Sequence, residues 1–210
     1  MKKTFLSIIS ALFIASSANA ADFTFGVSAA YTMIDGTGTE TTRDSLEKNN
    51  GSASNEVAIG SVFVENNFGS FSLGLDWIPF KADVSNKLKS RTDTSSGADV
   101  ASEADTGTYQ AQAELSNHVT LYAIVPFAGK YFIKAGVAQV DVSTQESLNS
   151  GSTYGDDTIY GGQIGLGFGN DNWRLAVEYT DYETISLTSS ASNKVDANLD
   201  TTAVKLSYNF

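Results

Sequence analysis

Residues 23–34 read FTFGVSAAYTMI; every odd position from 23 to 33 is apolar, and the even positions from 24 to 32 are small or polar. This strict alternation predicts a β-strand with one apolar face, because successive side chains of a strand point to opposite sides. Residues 57–65 predict another strand, but they are apolar on both faces and leave its orientation open. Alternation recurs in six further stretches: 70–78, 108–125, 131–142, 158–169, 172–182 and 202–210.

The connections between these stretches alternate in length. Three are short, at 66–69, 127–130 and 170–171, and four are long and polar, at 35–56, 79–107, 143–157 and 183–199. All long connections therefore fall at one end, which is typical of a barrel with short periplasmic turns and long outer loops. The sequence predicts an all-β fold, a closed antiparallel up-and-down transmembrane β-barrel of eight strands.

Residues 108–125 are predicted to form one long strand. Their alternation keeps a single parity apart from Asn117, and this parity puts Glu114 on the inward face. A turn at residues 116–118 is the alternative, but it would give nine strands. An even strand number favours the single long strand.

The short connection at 170–171 predicts a register for its two strands. A two-residue turn formed by these residues would pair Phe168 with Trp173 and Gly162 with Tyr179. The tyrosine would then cover the glycine, as in designed barrels.

Aromatic residues stand at the ends of the apolar stripes. The spacing between the two ends of a stripe corresponds to about 15–20 Å for tilted strands. Two rings of amphipathic aromatics around an apolar band are typical of a bilayer-spanning barrel. An ordinary water-excluding core is the alternative interpretation of these side chains. The predicted ring residues are Phe25, Tyr31, Phe71, Trp77, Tyr160, Phe168, Trp173 and Tyr179.

The opposite stripe carries charges of both signs near the middle of the strands. A charge there would be costly in lipid, so we expect these side chains inside the barrel. Because an unpaired buried ion is expensive, they should form salt bridges that fill the lumen. A gate that opens to a narrow pore is the alternative. The predicted network consists of Asp76, Glu114, Lys134, Arg174, Glu178 and Lys205.

The N-terminal residues predict export from the cytoplasm. Lys2 and Lys3 precede an apolar run at 5–15, and residues 18–20 read Ala-Asn-Ala. This arrangement is typical of a cleaved signal peptide, here residues 1–20, and the run is too short for a spanning helix. The barrel domain is then 21–210. The chain has no cysteine, so disulfides cannot stabilise it outside the cell.

The composition narrows the class of partner. With 13 basic and 24 acidic residues, the net charge is −11, which argues against nucleic acid as a partner. The chain holds only 2 prolines beside 18 glycines, 12 phenylalanines and 9 tyrosines, a composition that favours β-structure. The sequence does not name the ligand of its outer loops.

The C-terminal residues 204–210 read VKLSYNF, with apolar side chains at Val204, Leu206, Tyr208 and Phe210. This ending resembles the assembly signal of bacterial outer-membrane barrels. The chain as a whole resembles the small eight-stranded class that includes the opacity-type proteins and the barrel part of outer-membrane protein A. The resemblance implies recognition by the barrel assembly machinery, location in the outer membrane, and contact with its lipid and lipopolysaccharide.

The candidate chemistry is sparse. His118 is the only histidine and lies near Ser116, and some lipid A deacylases pair these residue types as base and nucleophile. Here the parity places both inside the barrel, away from a lipid substrate. We therefore expect no enzyme, no catalytic residue and no cofactor.

Two surface features have weak binding interpretations. Acidic pairs such as 156–157, and Asp181 with Glu183, lack a complete calcium-site pattern, so no metal is expected. The basic residues Lys87, Lys89 and Arg91 could meet lipopolysaccharide phosphates. The sequence thus predicts a non-enzymatic outer-membrane barrel with a structural or surface-interaction role. A narrow porin-like conduit is the first alternative, a lipid A-modifying enzyme the second, and a soluble periplasmic β-protein the third.

Overall fold

The structure is a computed structural model that describes residues 22–41, 46, 48–84, 89–95, 103–147, 153–189 and 192–210. For residues 22, 49, 89–95, 103–112 and 145–147 it describes the backbone alone. The predicted signal peptide, residues 1–20, lies outside the described residues.

The described chain forms eleven strand segments in one antiparallel sheet system. They are β1 Asp22–Thr41, β2 Lys48–Asn67, β3 Ser72–Ile78, β4 Ala82–Asp83, β5 Lys89–Ser95, β6 Glu103–Phe127, β7 Tyr131–Ser147, β8 Asp156–Gly169, β9 Trp173–Tyr182, β10 Ile185–Thr188 and β11 Lys194–Asn209. β3, β4 and β5 follow one another along β6, and β9 and β10 follow one another along β11. The wall therefore has eight strands, in the order β1-β2-β3-β6-β7-β8-β9-β11.

The first and last strands close the cylinder. β1 pairs with β11 from Gly26 opposite Asn209 to Thr41 opposite Lys194. Beyond the ladder, the Phe210 amide donates a hydrogen bond of 2.8 Å to the Phe25 carbonyl. Closure leaves no free sheet edge along this seam, and it confirms the predicted eight-stranded closed barrel.

The two ends of the barrel differ. The turn end carries the short connections at 68–71, 128–130 and 170–172, and we call the opposite end, towards which the β1–β2 ladder extends, the hairpin end. The β1–β2 ladder runs without a break from Asp22 opposite Asn67 to Thr41 opposite Lys48. Most of the connection predicted at 35–56 is therefore strand, and that part of the prediction was wrong. Thr, Gly, Ser and Asn dominate there, and the backbone ladder forms even though the apolar alternation has ended.

A β-bulge in β6 changes which side chains face inward. The register slips between Ser116 and Val119, and Asn117 adopts the left-handed conformation with φ of 51°. One extra residue reverses the parity of the strand. Before the bulge the odd-numbered Leu115 is buried, and after it the even-numbered Thr120 is buried. The long single strand was predicted correctly, but its unbroken parity was wrong.

The β8–β9 register differs from the prediction by two residues. Phe168 lies opposite Leu175, and Ile164 opposite Tyr179, so the tyrosine does not cover a glycine. The side chain of Asn170 accepts hydrogen bonds from the amides of Asn172 and Trp173 at 3.0 and 2.8 Å. This capping places 171–172 at the tip of the turn. Because the shift is even, every side chain keeps its face.

Candidate functional site in the barrel lumen

An apolar belt surrounds the barrel. Large apolar side chains such as Ile133, Ile164, Leu166 and Val177 are about half exposed, at 46%, 60%, 57% and 53%. Seven of the eight predicted ring residues are also exposed, and Tyr160 is half-buried on the same outward face. The outward ring residues are Phe25, Tyr31, Phe71, Trp77, Tyr160, Phe168, Trp173 and Tyr179.

Inside this belt, a lysine on β7 meets a glutamate on β9. Lys134 Nζ lies 2.7 Å from Glu178 Oε1, and the two side chains are only 5% and 7% exposed. Lys134 also stands 4.1 Å from the centre of the Tyr122 ring. Lys134 and Glu178 both stand at inward-facing positions of their strands. Since β8 lies between β7 and β9, the pair joins strands that are not neighbours.

A second ion pair crosses the lumen from β9 to β2. Arg174 Nη2 donates to both carboxylate oxygens of Glu65, at 2.8 and 2.9 Å, and to Asn209 Oδ1 at 2.8 Å. The Tyr122 hydroxyl donates to the same Glu65 at 2.7 Å. Charge-assisted bonds of this length are the strong ones in a protein interior.

The third pair joins β11 to β3, where Lys205 donates to Asp76. Five of the six predicted network residues thus lie in the lumen, each bonded to an opposite charge. Glu114 does not, because the β6 bulge turns it to the outer face. There it accepts a hydrogen bond of 2.7 Å from Lys81, whose side chain is 67% exposed.

Glu65 takes the place predicted for Glu114. The sequence could not fix the orientation of residues 57–65, so Glu65 was not selected. In the structure Phe63 and Glu65 are buried, while Val62 is 44% exposed. One rule could have identified Glu65 from the sequence: only the inward face of a membrane barrel tolerates an acidic residue near the middle of a strand. The described lumen then balances three acids, Glu65, Asp76 and Glu178, against three bases, Lys134, Arg174 and Lys205.

The lumen changes character along its length. Towards the turn end, the network surrounds a cavity of about 20 Å³, which is room for about one water molecule. Towards the hairpin end, the interior becomes apolar. The buried apolar cluster there comprises Ile34, Ala82, Val84, Leu115, Ala138, Val140, Val142, Ile159, Tyr182, Ile185 and Leu199.

Aromatic rings lie over inward glycines in the network layer. A Cβ on Gly74 would lie 2.4 Å from the Tyr122 ring, and one on Gly26 would lie 2.1 Å from the Phe63 ring. Only glycine fits under these rings. The glycines therefore let Tyr122 and Phe63 lie against the wall, where they contact the Glu65–Arg174 pair.

The predicted assembly residues line the outside of the last strand. Val204, Leu206 and Phe210 are exposed. Tyr208 packs between two rings, with centroid distances of 4.6 Å to Trp173 and 5.2 Å to Phe210. This arrangement continues the aromatic ring at the turn end around the closing seam.

The structure places His118 and Ser116, the residues considered for catalysis, on opposite faces of β6. His118 faces the lumen and its Nε2 lies 2.8 Å from the Tyr182 hydroxyl, whereas Ser116 is on the outward side of the bulge, opposite Asp141. The expectation that both face inward was therefore wrong. Lys87 lies outside the described residues, and Lys89 and Arg91 belong to β5, of which only the backbone is described.

Two surface groups beyond the aromatic rings have shifted pKa values. The hydrogen bond that Lys81 donates to the Glu114 carboxylate raises the pKa of Lys81. Partial burial, together with the neighbouring Asp35 and Asp181 on the adjoining strands, raises the pKa of Asp200. The described hairpin end is thus acidic enough for like charges to oppose one another. No helix among the described residues is long and apolar enough to cross a bilayer.

Comparison with known proteins finds likeness in structure alone. No protein-family model matches the chain, and no curated protein matches it in sequence. The outer membrane protease OmpT of Escherichia coli matches over 91% of this chain and 98% of its own, at 11% identity and a TM-score of 0.50. Neisserial surface protein A matches over 91% and 100%, at 11% identity and a TM-score of 0.48.

A third structure is Ail, the attachment invasion locus protein of Yersinia pestis, determined in complex with the heparin analogue sucrose octasulfate. It matches over 90% of this chain and 99% of its own, at 10% identity and a TM-score of 0.46. At these identities the likeness concerns the fold. The shared fold is the closed antiparallel barrel of a bacterial outer-membrane protein, in agreement with the fold that the sequence predicts.

Proposed function

We propose that this chain is an integral outer-membrane barrel that neither conducts nor catalyses, and that its hairpin end presents an interaction surface outside the cell. The observation that carries the proposal is the inverted arrangement of the wall. Apolar side chains surround the outside in a belt, and six ionised side chains pair inside. A water-soluble protein would bury the first set and expose the second.

The packing of the lumen supports a closed barrel over a conduit. The three ion pairs join strands that are not neighbours, and the one described cavity that all six of their side chains line is about 20 Å³. Ions would have to displace paired side chains in order to pass. Each displacement leaves a buried charge without its partner, which is costly.

Planar-bilayer recording tests the closed lumen. We expect no stable single-channel steps from the purified barrel, nor from the Lys81→Met variant, which alters only a rim pair. Stable steps whose conductance changes in Arg174→Met or Glu178→Gln would overturn the proposal in favour of a narrow conduit.

The absence of catalysis is proposed from geometry. His118 bonds Tyr182 inside the barrel, and Ser116 lies on the other face of β6, so the two cannot act as base and nucleophile. Mass spectrometry of lipid A tests this point. Lipid A from cells with and without the protein should be identical, and a difference in acylation that His118→Ala abolishes would identify an enzyme.

The proposed surface role follows from charge. Beyond the aromatic ring at the hairpin end stand Asp35, Asp181, Asp196 and Asp200, with Asp35 and Asp181 flanking Asp200. Such a surface attracts basic partners and repels sulfated polymers. Binding to immobilised basic peptide should weaken as salt rises, with immobilised heparin as the comparison. Salt-sensitive binding to heparin instead would contradict this surface role.

A further inference from the structure

The barrel wall has a gap near the hairpin end. The β2–β3 ladder stops where Val62 lies opposite Trp77. β2 continues to Lys48 in full pairing with β1, yet along 56–61 its other edge has no ladder partner among the described residues. The reason is local: Pro79 has no amide hydrogen, and beyond it β4 follows β6.

The gap has a lower and an upper limit, which together define a side window. Val62 and Trp77 form its lower edge. At its upper edge the Asn55 side chain donates to the Asp83 carbonyl at 2.6 Å, a side-chain bridge where a ladder would place a backbone bond. Phe80 lies in the window: its ring is 3.5 Å from the Cβ position of Gly60, and the residue is 60% exposed.

The side window leads to a cavity of about 80 Å³ inside the barrel. Phe80 lines this cavity and is also exposed on the outside, so its ring stands between the cavity and the exterior of the barrel. Part of the cavity wall is apolar, with Ile34, Ile59 and Leu115, and another part is polar, with Thr120 and Gln163. The paired ions Asp76, Glu178 and Lys205 also line it.

Among the described residues, two that line this cavity each have a buried side-chain atom without a hydrogen-bond partner. Gln163 Oε1 and His118 Nδ1 are both unpaired, although the other polar atom of each side chain is bonded, to Thr180 and Tyr182. Unpaired buried polar atoms are costly and in native proteins imply a water or a ligand. A hydroxyl group can donate to the glutamine oxygen and also bond the imidazole nitrogen.

We propose that this cavity binds a small uncharged alcohol, with its hydroxyl on Gln163 and His118 and its alkyl part against the isoleucines. The ligand is uncharged because the ions that line the cavity are already paired, Asp76 with Lys205 and Glu178 with Lys134. A cavity of 80 Å³ is about half the size of one that holds benzene, so a chain of about three carbons fits. Entry is from the side, at the level of the aromatic ring, where amphipathic molecules concentrate.

Methyl NMR of isoleucine-labelled protein in lipid nanodiscs tests the proposal with 1-propanol as the probe. Ile34, Ile59 and Ile78 line the cavity, while Ile133 and Ile164 face outward and report partition into lipid. We expect saturable shifts of the cavity methyls and only linear shifts of the outward ones. Propionate, which carries a charge, should give no saturable shift.

Matched variants separate binding from folding. Ala203→Leu fills the cavity and should reduce the saturable shift at least tenfold, whereas Ala29→Leu makes the same change on the outward face and should leave it unaltered. Phe80→Ala should accelerate exchange of propanol. Linear shifts at all isoleucines would mean that only water occupies the cavity and would overturn the proposal. So would saturation that survives Ala203→Leu in a variant with an otherwise native spectrum.

Discussion

Removing one partner of the Lys134–Glu178 pair should destabilise the barrel far more than removing one partner of the rim pair. The two central side chains are 5% and 7% exposed and 2.7 Å apart, so Lys134→Met leaves a carboxylate ionised and buried. Breaking a buried pair in this way costs about 3–5 kcal/mol. Lys81→Met at the rim, where the lysine is 67% exposed, should have no measurable effect.

Urea unfolding in detergent micelles, followed by tryptophan fluorescence, measures the difference. With a denaturant slope of about 2 kcal/mol per molar urea, the central substitution should lower the midpoint by about 2 M. The double variant Lys134→Met/Glu178→Met removes both charges and should recover most of the loss. If the single variant behaves like Lys81→Met, or if the double variant loses the sum of both single effects, the central pair is not a buried ion pair and the reasoning fails.

Three further predictions concern the wall. Gly26→Ala should destabilise the closing seam, because a Cβ there would lie 2.5 Å from a backbone carbonyl, whereas Gly60→Ala meets only ordinary contacts; equal urea midpoints for the two variants would refute this. Asn117→Val should cost about 1–3 kcal/mol and Asn117→Gly almost nothing, since the bulge needs a left-handed residue; equal losses in urea unfolding would contradict the bulge. Carboxyl NMR should find the pKa of Asp200 above its usual value and lowered by Asp35→Asn. Because the folded pKa is raised, the stability that Asp200 contributes at low pH is lost as the pH rises through it; an unchanged titration in Asp35→Asn would exclude the like-charge cause.

The strand pattern was predictable because alternation is a local property of the chain. In residues 23–33 and 173–180 the period of two survives at every position, and both segments form strands on the predicted faces. The closing of β11 onto β1 also follows from the sequence, since an eight-stranded wall with short turns at one end leaves two edges that must pair.

The features that could not be predicted from the sequence depend on single residues whose effect is fixed by tertiary contacts. Asn117 inserts one residue into β6, and this one change moves Glu114 out of the lumen and Leu115 into it. Asn170 caps its turn and shifts the β8–β9 register by two. Glu65 could be assigned to the network only once the structure showed which face of β2 points inward. The side window likewise arises from a missing ladder, which no local pattern records.

The most direct test of the inverted wall is quenching of tryptophan by lipids that carry bromine on their acyl chains. Trp77 and Trp173 are about half exposed, one in each aromatic ring, and a Trp77→Phe/Trp173→Phe background with Val177→Trp places a single indole between them. We expect bromine near the headgroups to quench the native tryptophans most, bromine deep in the chains to quench Trp at 177 most, and aqueous acrylamide to quench none of them. Quenching by acrylamide without quenching by lipid, or protection from both, would show that the apolar belt does not face acyl chains and would contradict the account.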